Sequence, residues 1–211
     1  MNYYSTGANG QTGSGSPITI SYTQPADKDA ILLIGVFIPG IGNSIGTPTW
    51  NGTNMTLLDS VQISTVNFFV YYIINPSTGA QSLQYTVAGG AASSNYVIAS
   101  YKNLAQSGQP DAHTNANSAG TISLSLTTTA SRCLIISFGN TSSSGHITGY
   151  TNLTDRQDLT VSGSLVMSIA DDGPVVAGSY TTSFTTAAGG QGVSGSFVAD
   201  TDRDGDMFQV F

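Results

Sequence analysis

Glutamate is missing from this chain of 211 residues. Cations are nearly so: Lys28, Lys102, Arg132, Arg156 and Arg203 stand against twelve aspartates, giving a net charge of −7. A nucleic-acid partner needs clustered Lys or Arg to displace phosphate counterions, and an anionic membrane surface asks the same, so both are excluded as partners. Cysteine occurs once, as Cys133 inside the apolar run CLIISF, so there is no disulfide framework and a buried, inert thiol is expected. No long hydrophobic run exists: the longest, Ala30 to Ile38, is too short to span a bilayer. The opening MNYYSTGANGQTGSGSP has neither a basic region nor an apolar core, so it does not read as a signal peptide.

Thr, Ser, Gly, Asn, Val and Ile take the place of the strong formers of exposed helix. The composition predicts an all-β protein, a two-sheet antiparallel β-sandwich resembling a jelly roll. About ten or eleven strands joined by short Gly, Ser and Asn turns are expected. Val66–Val87 predicts a central hairpin, a strand apolar on both faces turning at Pro76–Gly79 into a half-exposed partner. Asn51–Gly52 predicts a type I′ turn between Thr47–Trp50 and Thr53–Leu58. Residues 1–17 read as a flexible arm, 18–199 as a single domain without an internal repeat, and 200–211 as an acidic turn with an apolar last strand. Lys102–Gly120 reads as a surface loop or lid. The loop GIGNSIG lacks the sixth-position glycine of a dinucleotide fingerprint, and no helix follows it.

Two constellations carry candidate chemistry. Asp200, Asp202, Asp204 and Asp206 alternate ahead of and around Gly205, the pattern that wraps a calcium ion in carboxylate oxygens. The twelfth position of such a loop is Phe211 rather than a bidentate Glu, so a solvated acidic turn is the competing reading. Trp50, Tyr150 and Tyr180 are candidates for sugar stacking, against the plainer reading of core aromatics. Tyr3 and Tyr4 in the arm, and Phe208, Val210 and Phe211 at the other end, are candidate interface residues, because MFQVF is too apolar to hang in water. Asp111 and His113 could orient one another, and His146 sits in a polar loop. No nucleophile elbow accompanies either, so an enzyme is not expected and no catalytic residue is assigned. No cofactor beyond the candidate calcium is implied.

Four phrases, TWNGTNMT (Thr49–Thr56), YYIINPSTGAQSLQYTV (Tyr71–Val87), VIASYKNL (Val97–Leu104) and GYTNLTDR (Gly149–Arg156), resemble β-sandwich domains of tailed-phage structural proteins of the minor-tail or decoration type. The resemblance implies a non-enzymatic virion component whose partners are other virion proteins and copies of itself. Its route would be assembly in the host cytoplasm and release by lysis. A host-surface glycan is a further candidate partner, and the alternative is a secreted or cell-surface carbohydrate-binding module that uses calcium at Asp200–Asp206.

Overall fold

A computed structural model of the chain describes residues 4–13, 17–63, 66–90, 93–141, 145–162, 165–187 and 189–200. Among them there is no helix, and all strand pairing is antiparallel. The first half of the chain forms β1 (Tyr4–Thr12), β2 (Ile18–Gln24), β3 (Ile31–Pro39), β4 (Ser44–Ile45), β5 (Thr49–Trp50), β6 (Thr53–Asn54), β7 (Thr56–Ile63), β8 (Val66–Ile74), β9 (Gly79–Tyr85), β10 (Val87–Ala88) and β11 (Ser94–Tyr101). The second half forms β12 (Ala112–Ser118), β13 (Thr121–Thr128), β14 (Cys133–Thr141), β15 (Thr148–Thr151), β16 (Thr154–Ser162), β17 (Leu165–Val175), β18 (Gly178–Thr185) and β19 (Gly190–Val198).

The expected all-β antiparallel sandwich forms, and it forms twice. In the first half a five-stranded sheet, β1-β11-β3-β8-β7, packs on a smaller sheet, β2-β9-β5-β6. In the second half β12-β19-β14-β17-β16 packs on β13-β18-β15. The strand order is the same: first, last, third and so on, as in a jelly roll whose first and last strands are neighbours. The sequence reading found no repeat, and the topology corrects it.

The two five-stranded sheets face each other, so the molecule is four sheets deep. The central strand β3 shows why. Its side chains alternate: Ile31, Leu33 and Phe37 enter the core shared by the two five-stranded sheets, while Leu32, Ile34, Val36 and Ile38 enter the core under the first outer sheet. A strand buried on both faces must be apolar throughout, as ILLIGVFI is. From the facing sheet β14 sends Leu134, Ile136 and Phe138 into the shared core. Its other face carries Ser137 and Gly139 towards the second outer sheet, whose core is small: Ile122, Leu124, Ile147, Val166 and Phe184. There Phe184 lies in a cradle of glycines. A Cβ on Gly139 would come within 2.7 Å of its ring, and one on Gly192 within 2.9 Å.

Several expectations change. Residues 4–12 are not a free arm but the edge strand β1, paired with β11 from Tyr4↔Tyr101 to Thr12↔Ser94. β8 and β9 are no hairpin: β8 pairs with β3 and β7, β9 with β2 and β5, and Asn75–Thr78 carries the chain from one sheet to the other. β8 is apolar on both faces and β9 alternates, as the sequence predicts, but neither pattern says which sheet a strand joins. The Asn51–Gly52 turn forms with both φ angles positive (47° and 79°), yet Thr56–Ile63 leaves that hairpin for the five-stranded sheet. The supposed lid contains β12, paired with β19.

Candidate functional site

The strand ends define one pole of the molecule. Tyr4 pairs with Tyr101, which pairs with Ile31, which pairs with Ile74. The last described residue, Asp200, donates its backbone N–H to Asn103 O at 2.9 Å. Beside Ile74 a concavity of about 660 Å³ opens between the Asn51–Gly52 turn and the Asn75–Thr78 crossing. Its walls mix neutral hydrogen-bonding groups, among them Asn51, Asn54, Asn75 and Ser77, with the apolar Ile74 and Pro76. Such a surface can hold an uncharged polar ligand. Its lining holds no Asp, Glu, His, Lys, Arg or Cys.

The three candidate stacking residues do not meet. Trp50 is 1% exposed on the first outer sheet, its ring edge-on to Tyr22 at 6.1 Å and its Nε1–H donating to Ser77 O at 3.0 Å. Tyr150 and Tyr180 belong to the other outer sheet, across four layers. Tyr150 packs on Phe184 at 6.3 Å, and the Tyr180 hydroxyl donates to Val176 O at 2.8 Å. Trp50 and Tyr150 each close an outer core, which corrects the sugar-platform reading. Trp50→Ala is accordingly expected to cost about 3–5 kcal/mol of stability, read as a fall in the urea unfolding midpoint. Unchanged stability would contradict this placement.

Of the interface candidates, Tyr4 is committed within the chain, edge-on to Tyr101 at 5.5 Å. Tyr3, Phe208, Val210 and Phe211 lie outside the described residues. So do Asp202, Asp204 and Asp206 of the calcium pattern. Asp200, the one member of that pattern inside the described residues, is tied through its backbone N–H to Asn103 O. Among the described residues no three His, Cys, Asp or Glu come together as a metal-holding group.

The histidines have partners that local spacing does not suggest. His113 does not meet Asp111: its Nδ1 lies 2.9 Å from Asp59 Oδ2, and Asn115 Nδ2 donates to the other oxygen of Asp59 at 2.9 Å. This triplet joins β12 to β7, edge strands of the two facing sheets. His146 Nδ1 lies 3.1 Å from Asp158 Oδ2, and burial raises the Asp158 carboxyl above the usual range against the opposing effect of that histidine. Burial also pushes Asp111 up, but Thr129 donates its Oγ1–H at 2.5 Å and its N–H at 2.7 Å, and the group ends below its ordinary value. Asp111 in turn faces Cys133 Sγ at 3.7 Å. Burial first, and this carboxylate second, push the thiol up to about 12, so it is as inert as the sequence suggested.

The most heavily buried charge among the described residues stands in the DDGP segment, where the sequence offers Asp171–Asp172 as a carboxylate pair but reads first as a turn. Asp171 is 3% exposed and accepts both Arg156 Nε and Nη2 at 2.8 Å. The pair lies beside Tyr101 and Tyr4, and burial, with the nearby Asp171 carboxylate adding to it, pushes the Tyr101 phenol well up. The signal was available in principle: Thr154↔Asp171 pairing on a β16–β17 hairpin brings the side chain at 156 within reach of the one at 171. An ion pair of this kind is structural unless a cleft reaches it.

Comparison of the chain with protein-family profiles, curated proteins and solved structures gave no match.

Proposed function

We propose that the chain is a non-enzymatic structural protein of a phage virion, tail-associated or capsid-decorating, that works through protein–protein contacts. The observation that supports this most is a doubling. TWNGTNMT runs from β5 into β7, and GYTNLTDR runs from β15 into β16, the same place in the second sandwich. Two of the four phrases behind the phage resemblance are thus copies of one motif, one in each unit. The geometry of the pole adds to it. Tyr4 and Asp200 both border Tyr101–Asn103, so the two ends of the described chain share one face. The apolar stretch Met207–Phe211 follows Asp200 in sequence, and strand addition to a partner's sheet edge is the contact proposed for it.

Light scattering on the full chain and on a chain cut after Ala199, with and without EDTA, tests this. The cut leaves β19 and the Leu104↔Ala199 bridge intact, so the fold is expected to survive it. Oligomers of the full chain that disappear on truncation are the expected result; loss of the same oligomers in EDTA would assign calcium to the acidic turn. A monomer of unchanged mass in all four conditions would overturn the proposal.

A further inference from the structure

The two halves share more than strand order. Each five-stranded sheet has a β-bulge at the same point of its outermost hairpin, between Leu57 and Asp59 on β7 and between Asp155 and Gln157 on β16. Counting registers from these bulges aligns two rows of paired residues: Asn9–Val97–Gly35–Val70–Asp59 and Asn115–Val193–Phe138–Ile169–Gln157. Asparagine matches asparagine and valine matches valine at the first two places. On this alignment Leu58 corresponds to Arg156, Tyr72 to Asp171, and Tyr101 to Phe197.

The contacts across the shared core obey a two-fold relation. β1 lies on β16 and β12 lies on β7; β11 lies on β17 and β19 on β8. Tyr72 meets Phe197 edge-on at 5.6 Å, and the matching residues Asp171 and Tyr101 also meet. Because strand order is reversed from one sheet to the other, the axis runs along the strands, between β3 and β14. A residue on such an axis must touch its own counterpart. Gly35 does: a Cβ there would lie 3.0 Å from Phe138 Cδ1, and 3.2 Å from the Phe68 ring.

We infer that the chain is a covalent pseudo-dimer, in which the face of each five-stranded sheet is shaped for a second copy of the same sandwich. The axial pair makes the pairing choose unlike halves. Phe138 is a knob and Gly35 the hole that takes it. Two first halves would meet glycine to glycine and leave a void, and two second halves would drive phenylalanine into phenylalanine. Either mismatch weakens a close-packed seam. The device therefore favours closure of one chain on itself over exchange of halves between chains.

The test uses urea unfolding of full-length variants. Gly35→Phe and Phe138→Gly each lower the midpoint. Phe68 and Met167, each two residues before the row on β8 and β17, are counterparts that flank the axis in the shared core. An exchange of both pairs, Gly35→Phe and Phe68→Met with Phe138→Gly and Met167→Phe, is expected to recover a midpoint above either single change, since it moves the knob to the matching place in the other half. A milder cycle covers variants that fail to fold: Gly35→Ala and Phe138→Leu together should lose less than the sum of their separate losses. A four-site exchange no better than the singles, or strict additivity in the milder cycle, would overturn the inference.

Discussion

Arg156→Leu should lower stability by about 3 kcal/mol, because it leaves the Asp171 carboxylate buried without its cation. The value belongs at the lower end of the range for broken buried pairs, since the Arg156 side chain is 31% exposed and water screens that side of the bridge. The pseudo-symmetry adds a second part. At the matching places the first half carries Leu58 and Tyr72, and Tyr72 packs against Phe197 without any charge. Arg156→Leu with Asp171→Phe copies that apolar solution and should return stability to within about 1 kcal/mol of the parent, as well-packed apolar replacements of buried ion pairs do. Urea midpoints at unchanged m-value measure both. A neutral Arg156→Leu, or a double variant worse than the single, would show that the bridge is not held in a desolvated seam.

Phe184→Ala should cost about 3–5 kcal/mol, with the upper end favoured. Cavity cost depends on how well the surroundings collapse, and here they cannot. The ring rests on Gly139 and Gly192, which have no side chains to fill the gap. The core it belongs to is small, so its loss frees the outer sheet β13-β18-β15 before the rest of the molecule. Limited proteolysis should therefore cut first in that sheet, with the shared core still folded. Cleavage spread evenly over the chain would contradict this.

Much of the strand inventory was legible in the sequence, and the reason is burial. β3 is apolar on both faces because it lies between two cores, β14 keeps its apolar run Cys133–Ile136 for the same reason, and β13 alternates Ile122, Leu124 and Leu126 with Ser and Thr because it has one core and one wet face. Sheet membership was not legible. A turn such as Asn75–Thr78 looks the same whether it closes a hairpin or bridges two sheets. The duplication left a trace in Tyr85–Gly90, YTVAGG, beside Phe184–Gly190, FTTAAGG, but the halves differ where they touch, as at Gly35 and Phe138. A two-fold seam between fused copies is free to lose its symmetry on the axis, and sequence comparison loses the repeat with it. Charged partners were hidden for a similar reason: His113 and Asp59 are 54 positions apart and meet only because two sheets stack. Candidate aromatics misled because an outer sheet needs a ring to close its core, a place that Trp50 fills fully buried and Tyr150 partly buried.

Native-state hydrogen exchange tests the four-layer arrangement most directly. Amides of β3, β8 and β11, and of β14, β17 and β19, share one seam and should exchange together, by global unfolding, as the slowest set in the protein. Amides of β2 and β9, and of β13 and β18, should exchange sooner. If the two halves instead showed separate slowest rates, each falling independently with urea, the sandwiches would be neighbours on a chain rather than one stacked body.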